Sequence, residues 1–329
     1  MHKTKKATMI SIIALLAIAC VLPLITGRKN NYMNNIYISF CYYAVLSASL
    51  NLLMGYSGLI SLGHAAFMAI GAYCYAIFSK TLGLHFFPAM LISIAFTFVC
   101  GLIVGITSCK LSSIYLAMAT STFAKALIVY IKNAREVTGG ASGFTGIAKW
   151  KLFGVTFKTF EFYYVSIALA LLVLLICYRL VYSKTGRAWQ ALKAAPIAAS
   201  AMGINVNFYK LMVNGIAAAM CAVAGVIYAV SNGFISADMF EKFSVKLLTM
   251  VIIGGIGTLW GPIFGAVFIA SLPELMRGYS AHLDGVYGIA LVLCVLYMPD
   301  GIFGMVRKAA RKLQTRGRIA TTQSVNKEG

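Results

Sequence analysis

Apolar residues fill most of the chain in runs of about 20, the length that crosses a bilayer as a helix. Short polar or glycine-rich stretches separate these runs. The pattern predicts spans at residues 9–26, 36–54, 59–79, 86–107, 111–131, 162–182, 211–231 and 286–298. Residues 245–272 are apolar too, but Gly254, Gly255, Gly257, Gly261 and Pro262 interrupt them, which predicts two helices meeting at a turn. The expected fold is an all-α integral membrane protein of about ten transmembrane helices, some broken. Gly55, Gly58 and Gly63 lie among hydroxyl side chains where the second span meets the third, so no continuous helix is expected there. Gly101 with Gly105, and Gly261 with Gly265, have the GxxxG spacing that lets helix backbones approach closely. The two glycine-broken stretches, near residues 55–63 and 254–261, lie in opposite halves of the chain. Interrupted helices in matching places point to inverted repeats around a central pathway. The residues themselves show no clear repeat, and close packing by small residues accounts for the glycines equally well.

Two polar segments stand between spans. Residues 132–159 include Val137, Thr138, Gly139, Gly140, Gly143 and Gly146, a structured or mobile loop in which alternating Phe153, Val155 and Phe157 suggest a short strand pair. Residues 183–210 carry Lys184, Arg187, Lys193 and Lys210 with no acid. Here a first helical piece, about residues 185–193, places Trp189 and Leu192 on one face. A second starts at Pro196, suited to a first helical turn. It stops at Gly203, a natural left-handed cap. This gives a short helix, Ile197, Ala198, Ala199, Ser200, Ala201 and Met202, held against the membrane face.

Composition agrees with the pattern: 60% of residues are hydrophobic and 11% charged, against about 25% charged in soluble domains. Between Lys29 and Lys80 there are 50 residues without one Asp, Glu, Lys or Arg. A charge at a helix centre costs on the order of 2.5–3.5 kcal/mol to insert, which explains such gaps. The net charge of +20 resides at span boundaries, where Lys and Arg set topology. No nucleic-acid partner is expected from it. The tail, residues 306–329, and the N-terminus are both basic, which puts both ends in the cytoplasm with an even number of spans. Residues 183–210 then lie inside as well. Residues 132–159 fall outside although they carry Lys132, Arg135, Lys149, Lys151 and Lys158. The first 26 residues imitate a signal peptide, and Ala17 to Cys20 resembles a lipoprotein cleavage site. The apolar run continues past Cys20, however, and an uncleaved first span is expected.

The eight cysteines are scattered through apolar runs without a CxxC pair, as small buried hydrophobes are. His2, His64, His85 and His282 have no metal-ligand spacing. All eight acids lie at predicted boundaries or in loops. A proton-driven carrier usually buries an acid or a histidine relay, so the pattern speaks against one. Lys125 is the odd charge inside a span. It contacts substrate, pairs with an unseen partner, or marks a span placed too high. No phosphate-cradling GxxxxGK[ST] and no GxSxG is present. The chain is expected to be a non-catalytic protein that holds no cofactor of its own.

The residues resemble branched-chain amino-acid ABC transporter permeases, the LivM side of the LivH/LivM pair. One stretch of likeness runs from Asn51 through Gly55, Tyr56, Ser57, Gly58, Ser61, Gly63 and His64 to Gly71, Ala72 and Tyr73. A second runs from Thr138, Gly139 and Gly140 to Gly143 and Gly146. A third runs from Gly186, Arg187 and Ala188 through residues 197–205 to Lys210 and Leu211. Gly254 to Thr258 with Gly261 and Pro262 is also family-like. The likeness covers roughly residues 30–305.

It implies a permease domain over residues 1–305 and a basic tail. The assembly it implies is an importer in the bacterial plasma membrane: a second, LivH-like permease subunit, two cytoplasmic ATP-binding subunits that use ATP and Mg, and a soluble binding protein that delivers Leu, Ile or Val. Within residues 183–210, Arg187, Pro196, Ile197, Ala198, Ala199, Ala201, Met202 and Gly203 would form the coupling helix that docks on the ATPase. Relatives usually carry acids around the Ala-Ala segment, where this chain has Ala195, Pro196 and Ser200. This favours apolar docking through Ile197, Ala201 and Met202. Relatives also tend to have an acid near Lys125, so the substrate stays open. The expected pathway residues are Asn51, Tyr56, Ser57, Ser61 and His64, with Thr138, Gly139 and Gly140 near its outer mouth. Rival readings are a related permease for urea, short amides or nucleosides, and a self-sufficient secondary carrier or channel.

Overall fold

A computed structural model describes residues 31–147, 151–152, 155–156, 159–275, 283–297 and 301. The expected first span, Cys20, Phe153, Phe157 and the basic tail lie outside these residues. Helix α1 is Asn31–Asn51 and runs on into a wider π-helical turn, Leu52–Tyr56. α2 is His64–Thr81, α3 Phe86–Lys110 and α4 Ser113–Asn133. The short helix α5, Arg135–Thr138, precedes a single tight turn at Gly140–Ser142 and strand β1, Phe144–Thr145. Strand β2, Lys151–Leu152, pairs antiparallel with β3, Val155–Thr156. Then come α6, Thr159–Val181, α7, Lys184–Ala194, α8, Pro196–Ala201, and α9, Val206–Asn232. Strand β4, Phe234–Ile235, and α10, Ala237–Glu241, lead to α11, Phe243–Gly254, α12, Gly261–Leu275, and α13, Leu283–Tyr297. The strands, each two residues long, only tie loops together, so the architecture is all-α.

Among the described residues, five helical stretches are long and apolar enough to cross a membrane: Asn31–Tyr56, α3, α4, α6 and α9. Among the starts that differ from the sequence expectation, two have a local cause. Residues 59–63 are not helical, and α2 begins at His64, because glycines bound that stretch. α9 begins at Val206 rather than 211, since the Asn205 side chain accepts from Phe208 N at 3.1 Å and caps a polar first turn. The loop before α9 is therefore 183–205, and Lys210 belongs to the helix.

α9 is the axis of the packing. It is buried from Val213 to Val230 on nearly every side, against α1, α2 and α3. Small residues make this possible. A Cβ on Gly101 would lie 2.4 Å from Ala218 Cβ, and one on Gly225 would lie 2.3 Å from Met68 O. Both glycines hold their helices at backbone contact with a neighbour. Gly265 does the same for α12 and α11, where a Cβ would meet Met250 O at 1.9 Å.

Contacts at the helix ends show an alternating path. At one end, Tyr32 meets Glu274, Lys80 donates to Thr145 O at 2.8 Å, and Lys132 pairs with Asp238 at 2.5 Å. β1 also pairs with β4 there. At the other end, Ser113 Oγ donates to Gly58 O at 3.0 Å, and Lys210 donates to Ser108 O at 3.1 Å. α7 and α8 lie at this second end.

Candidate functional site

The two glycine-broken stretches meet at the end of the bundle that carries α7. Asn51 joins them. Its Nδ2 donates to Thr258 O at 2.8 Å, and its Oδ1 accepts from Gly257 N at 2.8 Å. A Cβ on Gly55 would fall 2.3 Å from Asn51 Oδ1 and 2.6 Å from Gly257 N. Only glycine lets the two backbones come this close. Gly257 has φ +77°, a left-handed conformation that suits the same residue. α12 then runs back along α1, from Ser47 Oγ donating to Pro262 O at 2.9 Å to Glu274 at Tyr32.

The other expected pathway residues near this junction are engaged with the chain itself. Ser57 Oγ donates to Leu53 O at 2.6 Å. Ser61 Oγ lies 3.2 Å from His64 Nδ1 and accepts from Gly63 N at 3.3 Å. His64 is buried with its ring edge-on to Phe67, and its Nε2 has no hydrogen-bond partner among the described residues. Tyr56 is buried. Thr120 of α4 holds the loop between the π turn and α2, accepting from Leu62 N at 3.1 Å. Beside Asn51 an apolar cavity of about 100 Å³ opens between α1, α6 and the start of α12, walled by Ala48, Leu174, Cys177, Trp260 and Ile263.

Thr138, Gly139 and Gly140 sit at the opposite end of the bundle. Thr138 Oγ1 donates within reach of Ile131 O at 2.6 Å and Ala134 O at 2.7 Å, closing the end of α4. Gly139 and Gly140 turn the chain with φ +76° and +62°. A cleft nearby is lined by Lys80, Thr81, Glu136 and Phe144. The structure therefore divides the expected pathway residues into two groups, one at each end. Lys125 is exposed midway along α4.

The loop expected to dock on an ATPase is built as two unlike helices. In α7, Gly186, Ala188, Trp189 and Leu192 are buried. Trp189 is fully buried, and its Nε1 donates to Tyr209 O at 3.1 Å. A Cβ on Gly186 would lie 2.0 Å from Val181 O. Arg187 faces solvent. Ala195 is extended, as a residue before proline prefers, and α8 starts at Pro196. Met202 N donates to Ala198 O at 3.1 Å and Ile204 N to Ala199 O at 3.1 Å, with Gly203 left-handed at φ +80°. These bonds satisfy the last carbonyls of the helix. Ala199 is buried, whereas Ala198, Ala201, Ile197 and Met202 are exposed, the last two at 88% and 84%. α8 thus projects from the bundle more than the expected helix laid against the membrane face.

Sequence reasoning missed what Lys193 does. Its Nζ donates to Gly55 O at 2.7 Å, linking α7 to the junction. It also missed Asn214, whose Nδ2 reaches Ser108 Oγ at 3.1 Å and Lys210 O at 2.8 Å. A polar side chain in the apolar face of a span was the available clue.

Comparison with known proteins now bears on this arrangement. Residues 32–298 match the family described as branched-chain amino acid transport system / permease component. The chain belongs to that family. This permease is 30% identical over 321 residues to the high-affinity branched-chain amino acid transport system permease protein LivM of Salmonella typhimurium, covering 90% of this chain and 75% of the relative. LivM of Escherichia coli is similar to the same extent. The LivH permease protein of Salmonella typhimurium is 26% identical over 283 residues, covering 80% of this permease and 91% of the relative. A multi-pass membrane protein follows from the family and the five crossing-length helices. The permease resembles both kinds of subunit, more closely the LivM kind.

Proposed function

We propose that this permease is the membrane subunit of a binding-protein-dependent ABC importer that moves branched-chain amino acids, Leu, Ile or Val, inward. A second, LivH-like permease completes the path, a soluble binding protein delivers the substrate, and two cytoplasmic ATP-binding subunits consume ATP and Mg. The observation that carries this reading is α8: a short helix, exposed and apolar at Ile197 and Met202, on a firmly seated base. An exposed apolar tip on a polar loop marks a protein contact. The chain crosses the plasma membrane about ten times with both termini in the cytoplasm. Residues 1–305 form the permease domain and 306–329 a cytoplasmic basic tail. Arg187, Pro196, Ile197, Ala198, Ala199, Ala201, Met202 and Gly203 form the contact with the ATP-binding subunit. The tip's share of that contact, through Ile197, Ala201 and Met202, is apolar.

Asn51, Tyr56, Ser57, Ser61 and His64 line the inner part of the path, and Thr138, Gly139 and Gly140 its outer mouth. Small hydroxyls and broken-helix backbone can hold a zwitterion without a full charge. Asn51, Ser57 and Ser61 are bonded within the chain in this structure, so they are offered to substrate in another conformation of the cycle. Proteoliposomes holding the whole assembly should accumulate labelled leucine, isoleucine or valine only with ATP inside and binding protein outside. Uptake by this chain alone would instead establish a self-sufficient carrier.

A further inference from the structure

We infer that Lys193 is the residue that transmits displacement of the coupling segment to the crossing of the two broken helices. The inference rests on the reading that α8 receives the ATP-binding subunit. Lys193 is the penultimate residue of α7, two positions before the extended Ala195 that joins α7 to α8. The residue is exposed overall, but its side chain runs along three glycines from two distant stretches, the stem beside Gly58 and the ammonium beside Gly55 and Gly257. Nζ bonds Gly55 O at 2.7 Å. A Cβ on Gly58 would lie 3.0 Å from the Lys193 Cγ, and one on Gly257 would lie 3.8 Å from Nζ. Gly55 O belongs to the π-helical turn that follows α1, at a helix end where carbonyls lack helical partners. A cation there is further favoured by the helix dipole.

From Gly55 the connection continues without a gap. Gly257 lies against Gly55, and Asn51 fastens Gly257 and Thr258 to α1 by two bonds of 2.8 Å. α11 ends and α12 begins on either side of that turn. Trp189 and Gly186 fix the rest of α7 to the adjoining ends of α9 and α6. A push on α8 therefore reaches the bundle by two routes. One passes through packed side chains that hold α7 as a body. The other is a single charge-assisted bond to the place where both helices are interrupted. Packed elements move as rigid bodies, and interrupted backbone is where direction can change. Lys193 thus positions the junction residues according to where α8 stands.

The test uses the complete assembly in proteoliposomes, with Lys193→Met, which keeps the stem, and Lys193→Arg, which keeps a cationic donor. Basal ATP hydrolysis, its stimulation by loaded binding protein, and leucine uptake are measured together. We expect Lys193→Met to assemble with basal hydrolysis within about twofold of the parent. Its stimulation and uptake should fall at least about tenfold, equivalent to about 1.4 kcal/mol. Lys193→Arg should recover at least half of both. Stimulation and uptake within about twofold of the parent in Lys193→Met would overturn the relay. So would an arginine variant no better than methionine. Should Lys193→Met not assemble, Lys193→Gln replaces it with the same expectation. Failure of both neutral variants to assemble would make the lysine a clamp of the fold and overturn the relay too. A parent without stimulation by binding protein would overturn the functional reading itself, an outcome distinct from all of these.

Discussion

α7 and α8 are consecutive short helices in one loop, joined at Ala195, yet their surroundings are opposite. α7 buries Trp189 completely, presses Gly186 onto the carbonyl of Val181 and reaches Gly55 through Lys193. α8 buries only Ala199 and presents Ile197 and Met202 to solvent. A helix of six residues is far too short to persist on its own propensity. It is held by its ends, Pro196 at the first turn and left-handed Gly203 after the last. The difference teaches how one loop can be both anchor and handle. Side-chain packing fixes the base, and backbone geometry with the single buried Ala199 shapes the tip, so most of the tip's surface stays exposed.

The largest effect expected is in the base. Trp189→Ala removes a fully buried indole and its bond to Tyr209 O. Truncating a buried aromatic costs about 3–5 kcal/mol. The thermal midpoint of the purified assembly should fall sharply, and the yield of folded permease with it. Gly186→Ala is a companion, because its Cβ would meet backbone rather than a flexible side chain. It should cost about 1–3 kcal/mol as an overpacked site does. A midpoint unmoved by Trp189→Ala would show that α7 is not seated as described.

The contrast was half visible in the sequence. Pro196 and Gly203 bounded α8, and the three-residue spacing of Trp189 and Leu192 gave the buried face of α7. Gly101 and Gly105 announced a close helix contact, and Ala218 and Asn214 of α9 supply it. Such features are local: one residue type answers one backbone need. What stayed hidden depends on distant partners. Asn51 bonds backbone atoms of Gly257 and Thr258, and a backbone amide leaves no mark of residue type to search for. Lys193 read as a boundary charge because a lysine side chain does not declare which carbonyl it will reach. The start of α9 was missed because Asn207 and Lys210 made its first turn polar, hiding a cap by Asn205. Thr138 is expected near the outer mouth, and the sequence does not show that its hydroxyl ties the end of α4 to the turn that follows, at Ile131 O, Ala134 O and Gly140 N.

The next effect is smaller and falls on the tip alone. Ile197→Glu changes an 88% exposed side chain, and exposed substitutions usually shift stability by no more than about 0.5 kcal/mol. The thermal midpoint should therefore hold. Docking should not, since burying an isoleucine side chain is worth about 1.5–3 kcal/mol. Retention of the ATP-binding subunits, titrated by co-purification, should weaken by about ten- to a hundredfold. Met202→Glu should act in the same direction. Unchanged retention in both variants would move the docking surface away from α8 and remove the functional meaning of the contrast.

The smallest effect is the most discriminating, because it repeats in the tip a substitution already made in the base. Gly203 has φ +80°, and a Cβ there would meet nothing within 4 Å. Gly203→Ala therefore meets no steric neighbour, unlike Gly186→Ala. Its cost is the left-handed backbone itself, about 1 kcal/mol. That cost falls on the bonds that close α8, from Met202 N to Ala198 O and from Ile204 N to Ala199 O. Amide exchange at Met202 and Ile204 should quicken by about fivefold, the equivalent of 1 kcal/mol. The thermal midpoint should stay that of the parent, because α8 contributes little to the core. Docking should weaken by no more than the same factor, since a partner that binds the formed helix must first restore it. Equal losses of thermal stability from Gly186→Ala and Gly203→Ala would erase the distinction between anchor and handle. The loop would then have to be treated as one unit.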